Sequence, residues 1–192
     1  MALPAEPLPH TYADIRTWDE RVELIQGEAY LLASPSRIHQ RISLAIAVQL
    51  GSYLEGKTCE VYAAPFDVRL FEKDGDRPED VDTVVQPDLC VVCDPGKLDD
   101  AGCRGAPDLV IEILSPSNRR HDRVVKLDLY QRSGVREYWV VDPENQSVLV
   151  LLLDETGALR IVEDYSRSDQ AKVHVLEDCQ IDLSRVFPEP GT

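Results

Sequence analysis

The chain has 192 residues, about the size of one large domain, and 43% hydrophobic with 29% charged residues is the balance of an ordinary globular protein. No apolar run approaches the roughly 18 residues of a membrane span, and no basic-then-apolar start suggests a signal peptide. A net charge of −15 counts against a general nucleic-acid binder, and five cysteines, an odd number, count against a disulfide framework and for a reducing, cytoplasmic setting.

In chain order, MALPAEPLPH is Pro-rich and reads as irregular. VELIQGEAYLLASP reads as two short strands around Gln26-Gly27, a hairpin signal. Ser34-Pro35 offers an N-cap followed by proline at the first helical position. The helix it opens runs to about Tyr53, with Ile38, Ile42, Ala45, Ile46, Leu50 and Tyr53 on one face and Gly56 closing it. CEVYAAPFDVRLF is a strand interrupted by Pro65, which points to an edge position or a bulge. EKDGDRPEDVD is an exposed acidic loop, VVQPDLCVVC the next strand, and DPGKLDDAGCRGAP another loop. LVIEIL is too short for a typical helix and reads as a buried strand. Ser117 or Asn118 then caps a basic helix that runs to about Ser133, with Gly134 to end it. REYWVVD is a strand, SVLVLLLD its hairpin partner, and the remainder to Leu183 holds one or two peripheral strands before a Pro-rich end.

The expected class is α/β, a mixed sheet with a helix on each face in the order αβββαβ, preceded by a hairpin and followed by extra strands. Neither a repeat nor a linker interrupts it, so one domain over 1–192 is expected, with its core at about 12–153 and irregular ends.

Charge is unevenly spread. From Asp67 to Asp100 eleven acids face four bases, whereas from Ser115 to Arg136 six bases face two acids. That basic island includes Arg119, Arg120 and Arg123, which read either as a phosphate-facing surface or as a plain basic helix face.

The chemistry centres on Glu112, an acid inside an apolar strand, which needs a cation, a metal or strong hydrogen bonds. Alternation puts Val110, Glu112 and Leu114 on one face and Asp88, Cys90 and Val92 on one face of the other strand. If the two strands are neighbours, Asp88 and Glu112 converge, and a divalent cation would relieve their repulsion. On the following helix, with Asp122 at 0°, Lys126 falls at about 40°, between Leu129 at about 340° and Tyr130 at about 80°, inside the apolar arc.

Plainer readings stand beside these. Asp88 follows Pro87 as an acid often does at a strand start, Asp122 and Lys126 have the spacing of a helix ion pair, and Glu112 has an arginine as its structural alternative. His39 reads as a packed helix-edge histidine. Cys90 and Cys93 form CxxC, but positions i and i+3 of a strand face opposite ways, which disfavours zinc. No nucleophile elbow surrounds Ser115, and no phosphate-binding glycine motif is present.

The succession ELIQGE, SPSRIHQ, APFDVRL, VVQPDLCVVCD, GAPDLVIEILSPSNRRHDRVVKLDLY and GVREYWVVDP resembles the Uma-two family of restriction-endonuclease-like proteins, over roughly Tyr12 to Leu153. The resemblance implies a PD-(D/E)xK nuclease fold, with Pro87-Asp88 as the PD element and Glu112 as the acid of the (D/E)xK element. The chain departs from that pattern at Leu114, where the lysine would stand, and Lys126 is the natural replacement. The resemblance also implies that Glu28, His39, Gln40 and Asp122 line the site, and that the protein self-associates as a homodimer.

The leading expectation is a nuclease acting on DNA with Mg2+ or Mn2+, in which Asp88, Glu112 and the carbonyl of Ile113 hold the metal and Lys126 assists the attacking water. The alternative is a catalytically inactive binding or assembly module on the same fold. Hydrolysis of another phosphate ester would need the same metal site.

Overall fold

A computed structural model of the chain describes residues 9–115 and 125–188. The expected irregular tips of both termini, the caps Ser117 and Asn118, and the residues Asp122, Arg119, Arg120 and Arg123 lie outside the described residues, wholly or in part for the tips.

A single turn of helix, α1 (Tyr12–Ile15), precedes the hairpin of β1 (Val22–Ile25) and β2 (Glu28–Leu31). Gln26 and Gly27 both adopt positive φ, 51° and 79°, the backbone that matches a two-residue turn to strand twist. Helix α2 (Arg37–Leu54) follows, capped by Ser36 rather than by Ser34 as expected. The Ser36 hydroxyl accepts from the His39 N–H at 3.2 Å, so the first helical turn begins two residues beyond Pro35.

The strands β3 (Glu60–Ala63) and β4 (Val68–Arg69) flank a cis Ala64-Pro65 bond, so the CEVYAAPFDVRLF segment is two strands in different sheets. Next come β5 (Leu89–Val92), β6 (Leu98–Asp99), β7 (Gly102–Arg104) and β8 (Leu109–Ile113). The stretch expected to be a loop therefore carries two strands, which join β4 in a small sheet of order β4-β7-β6. Their shortness and their glycine and aspartate content hide them from any period-two pattern, and Arg69, which bonds Asp99 at 2.8 Å, ties the sheet together.

The described part of the basic helix is α3 (Leu127–Ser133), which ends at Gly134 with φ 89°, its N–H returning to the carbonyls of Tyr130 and Gln131. It is followed by β9 (Glu137–Asp142), β10 (Ser147–Leu153), β11 (Leu159–Ser166), β12 (Gln170–Lys172), β13 (Gln180–Asp182) and α4 (Leu183–Val186).

The main sheet has the order β11-β10-β9-β8-β5-β3, with β8 and β9 parallel and the other neighbours antiparallel. Its α/β character and mixed directions are those expected. Strand alternation divides the core between the two faces. Leu89, Val91, Leu109, Ile111, Ile113, Trp139 and Val141 meet Ile42, Ile46 and Leu50 of α2, with α4 and Phe187 closing that layer. Cys90, Val92, Val110, Leu114, Tyr138 and Val140 meet Leu129 and Tyr130 of α3. Fully burying side chains of this size contributes about 1.5–3 kcal/mol each before entropy is counted, so these two layers dominate stability. Strand β10 is less covered than its apolar sequence suggests, since Leu149, Leu152 and Leu153 are half-buried beside the edge strand β11.

The cysteine expectation is corrected at one point. Cys59 and Cys93 are bonded to each other. They immediately flank the antiparallel pair Glu60–Val92, so the β3–β5 register brings them face to face. Cys90, Cys103 and Cys179 are buried free thiols. Burial pushes the Cys90 thiol well above its ordinary range, with Cys103 and Glu112 adding to the effect. Among the described residues no helix is long and apolar enough to cross a membrane.

Candidate active site

A cleft of about 800 Å³ opens between α2, the β1–β2 hairpin and the ends of β5 and β8. Its floor carries Glu23, Asp88, Glu112 and Lys126, and its mouth includes Leu31, Leu44, His39 and Gln40.

The geometry of the floor follows from strand register. β5 and β8 pair antiparallel with Leu89 opposite Ile111 and Cys90 opposite Val110. One residue earlier, Asp88 stands at the mouth of β5, next to the stretch of β8 that carries Glu112. The Asp88 carboxylate accepts the N–H of Ile113 at 2.7 Å, and His39 Nε2 lies 3.1 Å away, both at Oδ2. Oδ1 is thus left open to another ligand among the described residues.

Glu112 is 3% exposed, and among the described residues two donors meet it. Lys126 Nζ lies 2.8 Å and the Tyr130 hydroxyl 2.6 Å from Oε1. Both donors come from the helix that packs on this face, Lys126 from its N-cap and Tyr130 from its middle. The lysine that the helical wheel aimed inward is 3% exposed. Burial, with Glu112 and Glu23 adding negative charge nearby, drives the Tyr130 phenol far above its ordinary range, so it stays a donor to Glu112.

A third carboxylate was not among the sequence candidates. Glu23 of β1 is 1% exposed, and its Oε1 lies 2.9 Å from Lys126 Nζ and accepts the Gln86 N–H at 2.9 Å. The signal that singles out Glu112, an acid within an apolar run, is also present in VELI, where a hairpin reading assigns the acid to solvent. Gln86 links this group outward. Its side chain donates to Asp67 at 2.8 Å and accepts from Arg21 at 2.9 Å, and Asp67 accepts the Tyr12 hydroxyl at 3.0 Å.

Of the remaining candidates, His39 and Gln40 line the cleft. Glu28 does not; it shares the strand face of Tyr30 but stands one pair nearer the hairpin turn, opposite Ile25, where it is exposed and accepts the Tyr30 hydroxyl at 2.7 Å. Ile113 is fully buried. Leu114 occupies the position where a lysine would complete the strand motif, and it packs into the α3-side core. Cys90 and Cys93 do face opposite sides of the sheet, one in each core layer. Among the described residues no three His, Cys, Asp or Glu side chains form a ready-made metal cage. Two carboxylates and one amine meet in the Glu23–Lys126–Glu112 group, and Asp88 brings a further carboxylate to the same cleft.

Comparison with known proteins gives the fold and the family. The backbone superposes on a crystal structure from Anabaena variabilis ATCC 29413, described as a "putative nuclease belonging to DUF820", with a TM-score of 0.72 and 17% identity, over 93% of this chain and 98% of that one. The "Uncharacterized protein slr1290" of Synechocystis sp. (strain ATCC 27184 / PCC 6803 / Kazusa) is 24% identical over 176 residues, 88% of either chain. The model of the Uma2 family, described as "Putative restriction endonuclease", matches residues 9–184. By that match the chain belongs to the Uma2 family.

Proposed function

We propose that this protein is a nuclease that hydrolyses phosphodiester bonds of DNA with Mg2+ or Mn2+, at a site made by Asp88, Glu112 and Lys126. The observation that supports it is the meeting of two strand acids and a buried helix lysine on the floor of one cleft. The family description and the nuclease description of the structural relative point the same way.

The donor set fits a hard divalent cation. Hard cations take carboxylate and carbonyl oxygens, and Mg2+ commonly uses one or two carboxylates with water completing its shell. Asp88 Oδ1, the Glu112 carboxylate and the Ile113 carbonyl would hold the ion, and the excess negative charge of Glu23, Asp88 and Glu112 over Lys126 suits a double positive charge. When bound, such an ion polarises the phosphoryl oxygen and lowers the pKa of water.

The chain's own groups do the rest. The Ile113 N–H and His39 hold Asp88 in one orientation, and Tyr130 does the same for Glu112. Lys126 supplies a buried positive charge against the negative charge that develops on the scissile phosphate, and orients the water nucleophile. The basic residues Arg119, Arg120 and Arg123 are proposed to contact the DNA backbone, and two copies are proposed to associate as a homodimer.

The test is cleavage of plasmid and oligonucleotide DNA by purified protein with Mn2+ or Mg2+. Activity is expected to vanish on chelation and in both Asp88→Asn and Glu112→Gln. Metal-dependent cleavage that survives both substitutions rules out this site.

A second reading, a non-catalytic module on the nuclease fold, has one observation in its favour: the Lys126 ammonium lies between Glu23 and Glu112, where it already neutralises one carboxylate. Calorimetric titration separates the two readings, since a module would bind no divalent ion at millimolar concentration.

A further inference from the structure

The nuclease core accounts for Asp88, Glu112 and Lys126 but leaves Glu23 without a task. Burying a carboxylate is costly, and Glu112 alone already balances the charge of Lys126. Packing would be served as well by an apolar side chain at position 23. Instead the structure holds Glu23 firmly. Leu24 and Val84 exchange backbone bonds at 2.7 and 2.8 Å, Gln26 N–H reaches the Thr83 hydroxyl at 3.2 Å, and Gly27 N–H reaches the Asp82 carbonyl at 2.8 Å. The hairpin is thereby clamped to the segment that runs straight into Pro87-Asp88. The Gln86 N–H, one residue before that proline, bonds the same Glu23 oxygen that faces Lys126.

We infer that Glu23 is the positioning residue of Lys126, which makes the N-terminal hairpin part of the catalytic apparatus. The assignment rests on the nuclease reading and adds to it. A cation that takes up Glu112 draws that carboxylate away from the amine, and positive charge then stands beside positive charge. That change weakens the hold on Lys126 at the moment its position matters. Glu23 sits on the amine's other side, on a different element, and its own anchor at Gln86 does not depend on the cation. It keeps the lysine aimed into the cleft while Glu112 changes partner.

A double-mutant cycle in the full chain tests this. Glu23→Gln retains a side-chain oxygen for the Gln86 N–H and removes the charge that faces Lys126. It is expected to lower kcat for Mn2+-dependent DNA cleavage by about 10- to 100-fold, the usual cost of losing an outer partner of a site group, with KM for DNA changed less than about twofold. In a Lys126→Met background the same substitution is expected to change the residual rate by less than about twofold, because the amine it served is gone. Melting temperature measured on all four proteins without metal identifies any variant that has not folded and gives a second Glu23–Lys126 coupling beside kcat, and Glu23→Met, which also removes the charge, replaces Glu23→Gln in the cycle if the latter fails. Equal losses in both backgrounds, or an unchanged kcat in Glu23→Gln, would overturn the assignment and leave the nuclease reading intact. A wild-type protein that cleaves nothing would overturn the nuclease reading, and this assignment with it.

Discussion

His39 Nε2 stands 3.1 Å from Asp88 Oδ2, so the first turn of one helix touches the acid at the mouth of a strand 49 residues later. The two residues meet at the end of the strands, where α2 begins and the cleft opens. This contact orders the carboxylate, leaving its other oxygen directed elsewhere. His39→Ala is therefore expected to weaken Mn2+ binding by about 10-fold without unfolding the chain, the scale typical of partners behind a ligating carboxylate. Isothermal titration with Mn2+ measures it. An affinity unchanged from wild type would detach His39 from the site.

Tyr130 bonds Glu112 at 2.6 Å where both are buried. Tyr130→Phe keeps the ring in its tilted contact with Tyr138, whose centroid is 5.1 Å away, and removes only the hydroxyl. A hydrogen bond to a buried charge contributes about 1.5–3 kcal/mol, so urea unfolding should show a loss of that order. A variant as stable as wild type would mean that water replaces the hydroxyl without cost.

Glu137 gives a pH prediction far from the cleft. It is fully buried at the start of β9, accepting from the Trp139 ring N–H at 2.7 Å and the Val175 N–H at 2.8 Å. Burial raises its carboxyl above the ordinary 4.5, while those bonds pull it down. The folded chain thus holds the Glu137 proton more tightly than the unfolded chain does. Its contribution to stability is whole below the ordinary carboxylate range and is lost as pH rises through the raised folded value. Melting of wild type and Glu137→Gln from about pH 4 to about pH 8 should show the wild-type advantage shrinking as pH rises. An advantage that grows with pH would reverse the sign argued here.

The cysteine arrangement predicts a thiol count. Denatured without reductant, the oxidised protein should titrate as three thiols, Cys90, Cys103 and Cys179, and after reduction as five. A bond closing a 34-residue separation is worth about 4 kcal/mol in chain entropy, so reduction should lower the melting temperature. Five thiols in protein purified under air would contradict the pairing.

These residues also mark what a single sequence can convey. Period-two alternation in LVIEIL is local, and it was enough to put Glu112 on the face of Val110 and Leu114, where α3 packs. The helical wheel likewise turned Lys126 inward, because Leu129 and Tyr130 bracket it within one turn. Glu23 was missed although VELI carries the same local signal as LVIEIL, because the partner that buries this strand, Val84 against Leu24, lies sixty residues away in sequence. The Cys59–Cys93 pair was missed for a similar reason: only the β3–β5 register brings it together. The strands β6 and β7 are two and three residues long, below the length at which alternation can register.

The end of the chain bears on where this protein can be cut. Gln49 of α2 accepts the Asp182 N–H at 2.8 Å and donates to the Asp182 carbonyl at 3.3 Å, while Leu183, Val186 and Phe187 complete the layer beneath that helix. The core expected from the sequence finishes near Leu153, yet the helix that carries His39 is braced by residues thirty positions beyond it. A truncation at Leu153 would remove one wall of the α2-side layer and loosen the support of a histidine more than a hundred residues upstream. Engineering or crystallising this chain should therefore respect the sequence through Phe187.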